Sequence, residues 1–318
     1  MLRCLLVQRP QFRAYSALFA VWFFWGTTYL AIRMALEAFP PLFLISSRFF
    51  LSGGLMVAGL LSMRTRLPRG RELWLTALFG VITLGGGNGC LIWAEQTVPS
   101  GIAALMITTS PFWMVGLEAI LPRGTPIHLP TLGGIFIGFC GILLLLAPTG
   151  GGSFNRELLP GFSMLQAGCI LWCLGALLQR RLKTTVSPIV SGAIQQLATG
   201  LFFLIPAALD GSTPATWGSR STWAVLYLIT FGSIIGYSAF IYAMEHLPVA
   251  IVTTYNYVNP LVAMALGWAF YREPFGLRET MAMVVVFLGV AVVKWTAAHA
   301  PSKHRDDTAA TSNAAAAD

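Results

Sequence analysis

Charged side chains are scarce in this chain. Asp, Glu, Lys and Arg make up 10% of its 318 residues, against about 25% in an ordinary soluble domain. Twelve acids and twenty bases cannot coat a globule of this size, which excludes a soluble fold. Histidine is nearly absent: His128, His246, His299 and His304 all lie near ends or loops. The sequence has no Asp pair of the kind that holds magnesium and a diphosphate, and no GxxxxGK(S/T) phosphate loop. No catalytic residue, metal or cofactor is therefore assigned, and ATP bound by this chain is not its energy source. Cysteines are few. Cys90, Cys140, Cys169 and Cys173 sit inside apolar runs and Cys4 near the start, so no disulfide framework is expected. Cys169 and Cys173 are one helical turn apart and read as small packing residues, because no His or further Cys converges on them.

What is abundant is apolar sequence, at 56% of residues, with a mean hydropathy of +0.72. Crossing the hydrocarbon core takes about 20 apolar residues in a helix. Ten stretches meet this: 15–35, 42–61, 73–93, 100–121, 131–147, 159–178, 188–208, 222–243, 249–271 and 279–297. Arg3, Arg9 and Arg13 before the first mimic a signal peptide. The apolar run continues to Ala35 without a convincing cleavage site, so it reads as the first membrane helix. The formal charge of +8 does not imply nucleic acid, because the bases lie in short loops rather than on one basic face. The partners expected are the lipid bilayer and a small-molecule substrate. Residues 298–318, rich in Ala, Ser, Thr, Asp and Lys, read as a disordered cytoplasmic tail.

The chain also says nearly the same thing twice. Ile92-Trp93-Ala94, Pro99 and Pro111 recur 149 residues later as Ile241-Tyr242-Ala243, Pro248 and Pro260. Trp25 and Pro41 recur after 147 residues as Trp172 and Pro188, and Gly141 after 148 as Gly289. Two repeats follow, 15–147 and 159–297, with five helices each. Lys and Arg cluster in the segments that are cytoplasmic if the N-terminus is inside, as with Arg64, Arg66, Arg69 and Arg71. The opposite loops hold only Arg33, Arg156, Arg220, Arg272 and Arg278. Both termini are expected in the cytoplasm. An odd number of helices per repeat then turns the second upside down. The expected fold is an all-α membrane protein with ten transmembrane helices as a 5+5 inverted repeat, the plan of alternating-access transporters.

Polar groups inside hydrocarbon are costly and mark a path. The fourth stretch carries Thr108, Thr109, Ser110 and Pro111; its mate, the ninth, carries Thr253, Asn256, Tyr257 and Pro260 on one helical face. Each proline frees a backbone carbonyl about four residues earlier and bends its helix. Pro111 and Pro260 are thus hinge candidates, and Thr108, Asn256 and Tyr257 candidate substrate contacts; inter-helix bonding is the alternative. Asn88 lies in a glycine run, 85–89, whose mate is Gly236-Tyr237. The glycines leave room for a backbone or a ligand, with Asn88 and Tyr237 lining it. Trp25 and Trp172 lie inside their helices, as core packing or as cavity walls. Arg48 lies about 10 Å deep on the second helix and either snorkels or attracts an anionic group; Gln195 is its mate. Glu118 is the candidate proton site, while Glu95 and Glu245 read as solvated end residues.

Trp25-Gly26-Thr27-Thr28-Tyr29, Pro40-Pro41, Arg48-Phe49, Gly87-Asn88-Gly89 and Ala94-Glu95 resemble the EamA-type drug/metabolite transporters. So do 98–104, Phe231-Gly232-Ser233-Ile234-Ile235 and Tyr255-Asn256-Tyr257-Val258-Asn259-Pro260 with Glu273-Pro274. The resemblance covers residues 15–297 and implies a cavity lined chiefly by helices 1, 3, 4, 6, 8 and 9, with 5 and 10 peripheral. It adds Thr28 to the candidate contacts and implies an exporter of amino acids or related metabolites in the bacterial inner membrane. Arg48 falls off those helices, which favours a structural or gating role. Glu273, matched by Thr125, reads as an end-capping residue. A membrane-embedded lipid enzyme and a structural or receptor protein are the alternatives, and the glycine-rich fifth helix permits packing within the chain or a homodimer.

Overall fold

The computed structural model describes residues 2–122, 124, 126–147, 158–182, 185–211, 219–273 and 275–298; residues 2–10, 219, 250, 297 and 298 are described by backbone alone. Ten helical spans account for these residues. They are α1 (Leu2–Leu36), α2 (Pro41–Ser62), α3 (Arg71–Ala94), α4 (Ser100–Ile120) and α5 (Leu129–Leu146). The second set is α6 (Leu159–Leu182), α7 (Pro188–Leu209), α8 (Arg220–His246), α9 (Val249–Val252 and Tyr255–Tyr271) and α10 (Leu277–Ala298). The first eight are long and apolar enough to cross a membrane; α9 and α10 are less apolar and complete the ten.

Proline sets several of the starts. Pro41 and Pro188 open α2 and α7. There a missing N–H removes no intrahelical bond and a fixed φ favours the helix. Thr125, Arg123, Lys183 and the tail beyond Ala298 lie outside the described residues.

Packing follows the repeat. The pairs α2 with α7 and α5 with α10 cross each other. The first helix packs on α8 and α9, and α6 on α3 and α4. Exchanging each helix with its mate five places on maps this set of neighbours onto itself. Five spans per repeat carry the chain to the opposite face, so the repeats are inverted about an axis in the membrane plane. Three glycines of α5 are taken up inside the chain. Cβ atoms on Gly134 and Gly141 would crowd Val292 and Val286 of α10, and one on Gly138 would overlap Phe112 of α4. Gly133 has nothing within 4 Å.

Two features were not expected from the runs of apolar residues. First, α3 and α8 each contain a π-helical stretch, Val81–Gly86 and Leu228–Ile235, of 6 and 8 residues. The repeat offset grows from 147 at Gly85 and Gly232 to 149 at Gly87 and Gly236, so the longer π stretch absorbs the two extra residues. Wide turns that accommodate inserted residues inside helices are a common mark of functional sites. Second, α4 is broken at Thr108–Thr109, just before Pro111, whereas α9 is broken at Thr253–Thr254 and runs as helix through Pro260. In α9 the Thr254 hydroxyl bonds back to the Ile251 carbonyl at 2.6 Å. Such back-bonding competes with the helical ladder, and it places the break one turn before the position matching α4.

Candidate functional site

The broken helices meet at a central cavity of about 350 Å³, the size range of small-molecule sites. Both repeats supply its walls. Trp25 and Trp172 stand at matched places, each seated by a glycine of the other repeat. A Cβ on Gly236 would come 2.7 Å from Trp25 Nε1, and one on Gly87 2.9 Å from Trp172 Cε3. The Trp25 Nε1–H also donates to the Gly232 carbonyl at 3.1 Å. Gly192 of α7 leaves room for the Tyr237 ring in the same way. These glycines seat aromatic rings, and Gly236 also lies close to the Phe231 carbonyl.

Carbonyls freed by the prolines are satisfied across the cavity. The Asn256 carbonyl, four residues before Pro260, accepts from Thr108 Oγ1 at 3.1 Å, joining α9 to α4. In α4 the Ile107 carbonyl accepts from Ser110 Oγ at 2.6 Å and lies 3.9 Å from the Cys169 thiol. The Cys173 thiol donates to the Ser110 carbonyl at 3.2 Å. The two cysteines of α6 therefore serve as donors to the irregular backbone of α4.

Of the residues singled out in the sequence, Trp25, Thr28, Asn88, Thr108, Trp172, Tyr237, Asn256, Arg48, Pro111 and Pro260 surround this cavity. Tyr257 and Glu118 do not. Tyr257 turns toward α10, where its ring meets Phe287 at 5.2 Å and Lys294 at 4.7 Å. The resemblance places Arg48 off the cavity helices; here Arg48 of α2, Gln196 of α7 and Lys294 of α10 enter the wall as well.

Glu118 lies at one end of the bundle, ion-paired with Arg180 at 2.9 Å and Arg181 at 3.1 Å. The opposite end has a counterpart. Arg33, which precedes Arg180 by 147 residues, pairs with Glu273 at 3.1 Å. Each set of ion pairs joins the first helix of one repeat to the fourth helix of the other, or to the residues just past it. The position 149 residues after Glu118 is Gly267. Its missing side chain leaves space for the Glu273 carboxylate. Glu273 in turn caps α4 by accepting from the Ser100 and Gly101 N–H groups at 3.0 and 3.2 Å.

Glu95 corrects the reading of a solvated end residue. It is 3% exposed, and neither carboxylate oxygen has a hydrogen-bond partner; Glu245 is exposed. Burial, and then the nearby charge of Glu273, hold the Glu95 carboxyl well above its ordinary 4.5, against the opposing pull of Arg33 and Arg48. The folded protein thus favours the protonated Glu95 carboxyl more than the unfolded chain does. Its contribution to stability is full below the ordinary value and declines as pH rises toward the raised one, by at most about 1.4 kcal/mol per pH unit. Melting temperature should therefore fall with pH more steeply in the wild type than in Glu95→Gln. Equal slopes in the two proteins would show that Glu95 does not hold this proton.

An aromatic cavity between inverted repeats, with ion pairs at opposite ends of the bundle, is the architecture of a membrane transporter. Among the described residues no three His, Cys, Asp or Glu side chains gather as metal ligands. The model of the EamA-like transporter family matches residues 12–147 and 159–295, and the chain belongs to that family. It is a transporter rather than an enzyme. It is 36% identical over 282 residues to YedA of Escherichia coli K12, named an uncharacterized inner membrane transporter, across 88% of this chain and 90% of that one. Similarity at 26% identity extends to the aromatic amino acid exporter YddG of Ancylobacter novellus, over 85% of this chain and 93% of YddG. A probable terminal-alkyne amino-acid exporter of Streptantibioticus cattleyicolor is also 26% identical, over 85% of this chain and 88% of its own. A solved crystal structure shares the fold with a TM-score of 0.63 at 24% identity, covering 91% of this chain and 99% of that one.

Proposed function

We propose that the chain is an inner-membrane exporter of small metabolites, such as amino acids or drug-like compounds, working by alternating access with both termini in the cytoplasm. The repeats are 15–147 and 159–297. The observation that carries this reading is the central cavity lined by both repeats, together with arginine–glutamate ion pairs at opposite ends of the bundle, which serve in this reading as its closures. Opening one closure while the other holds exposes the cavity to one side at a time. The relatives named as exporters support the outward direction. Counterflow in proteoliposomes preloaded with amino acids and nucleosides, with and without a proton gradient, tests it. Saturable uptake of one class is the expected result; no flux of any solute through folded protein would refute it.

The breaks in α4 and α9 are the hinges of this cycle. Pro111 sits at the α4 break, whereas Pro260 lies six residues past the α9 break, inside continuous helix. Pro111→Ala is therefore expected to lower the transport rate several-fold, and Pro260→Ala to lower it less. Full transport by both variants at normal expression would remove the hinge role from the prolines.

A further inference from the structure

Among the described residues, the cavity wall contains two charged side chains, Arg48 and Lys294, and no Asp or Glu. Lys294 is already engaged: its Nζ donates to the Thr253 carbonyl and hydroxyl at 3.3 and 3.2 Å. Arg48 is only partly engaged. Its Nε donates to Ser233 Oγ at 3.0 Å, and its guanidinium lies 4.9 Å from the Phe49 ring centre. Its Nη1, in a residue 5% exposed, has no hydrogen-bond partner. The carboxylate of Glu95 does not reach it, since both Glu95 oxygens are without partners. A buried guanidinium with an unused donor is an unfavourable arrangement unless an acceptor arrives during the working cycle. The planar fork of arginine suits a carboxylate, which accepts two parallel N–H bonds.

We infer that the transported solute is a small organic anion, a carboxylate on an apolar or aromatic body, with its carboxylate seated on Arg48. This rests on the transporter reading and narrows its substrate class. Trp25, Trp172 and Tyr237 offer the body flat apolar surfaces. The two cations of the wall favour a negative group and disfavour an amine, because no acid of the wall would meet an ammonium. Arg48 thereby acquires a binding role, while Gln195, its mate in the second repeat, lies outside the wall and bonds Gln179 and Ser191.

Binding of 3-phenylpropionate, its uncharged amide and 3-phenylpropylamine to the purified full-length protein tests this inference. Tryptophan fluorescence is the readout, since Trp25 and Trp172 line the site. The carboxylate is expected to bind roughly 10-fold or more tightly than the amide, as a charged hydrogen bond requires, and the amine weakest. Arg48→Gln should bring the carboxylate to the level of the amide, and Arg48→Lys should restore part of the preference. Equal binding of carboxylate and amide to the wild type overturns the proposal. So does a preference that survives Arg48→Gln, or no binding of any probe to folded protein. Counterflow of solutes without anion preference would remove this inference and leave the transporter reading standing. Anion binding without counterflow of any solute would do the reverse.

Discussion

Glu273→Ala is expected to destabilise the protein by about 3 kcal/mol and to open the end of the bundle that Glu273 closes. Glu273 is 7% exposed and joins three elements. Its carboxylate accepts from Ser100 N–H at 3.0 Å, Gly101 N–H at 3.2 Å and the Ser100 hydroxyl at 3.0 Å, and pairs with Arg33. Truncation to alanine leaves the first N–H groups of α4 buried without an acceptor, a position no helix satisfies internally. It also strands Arg33, though that side chain is 32% exposed and water screens part of the loss. Glu273→Gln keeps one acceptor oxygen and should cost about half as much. The melting temperature measures the first effect. The second can be read with native cysteines, since Cys169 and Cys173 line the cavity. A membrane-impermeant maleimide applied at the Glu273 face should label them faster in Glu273→Ala. Unchanged melting and unchanged labelling together would mean that Glu273 is not the closure.

Much of this architecture was legible in the sequence because it depends on properties local to each helix. Apolar run lengths give ten spans, the recurrence of Pro99 and Pro111 as Pro248 and Pro260 gives the repeat, and five spans per repeat give its inversion. What escaped depends on how helices roll against one another. Spacing alone puts Tyr257 on a broad face with Thr253, Asn256 and Pro260, but it does not say which edge of that face meets the cavity. In the structure Thr253, Asn256 and Pro260 keep to the cavity, while Tyr257, one residue and about 100° round the axis from Asn256, faces Phe287. Arg48 and Lys294 line the cavity although α2 and α10 pack chiefly against α7 and α5, contacts more than 100 residues apart that no local pattern encodes. Glu95 follows the last helical residue of α3 and so reads as solvated. In the fold it is buried, and groups distant in the chain, Glu273, Arg33 and Arg48, act on it electrostatically. The end-capping reading of Glu273 needed less, because a carboxylate just past a helix meets free N–H groups at the start of its neighbour.

The crossing of α2 and α7 should tolerate little change. Gly53 and Gly200, 147 residues apart, face each other's helix at this crossing. A Cβ on Gly53 would overlap the Leu197 nitrogen and lie 2.6 Å from Leu197 Cα; one on Gly200 would overlap the Phe50 nitrogen and lie 2.7 Å from the Phe49 carbonyl carbon. Carbon atoms rest at about 3.5–4.0 Å, and these obstacles are backbone, which has no rotamer to move into. The helices must separate by about 1 Å, giving up contacts along their length. Overpacking of well-fitted cores costs about 1–3 kcal/mol and occasionally more; a backbone obstacle belongs at the upper end. Gly53→Ala and Gly200→Ala are each expected to lower the melting temperature sharply and to reduce the yield of folded protein. Their double variant should lose less than the sum, since one separation relieves both overlaps. Gly54→Ala supplies the control on the same helix. Nothing lies within 4 Å of a Cβ there, so alanine should be neutral or gain up to about 1 kcal/mol of helix propensity. If Gly53→Ala melts with Gly54→Ala, the two helices can part freely, and the crossing does not fix how α2 presents Arg48 to the cavity.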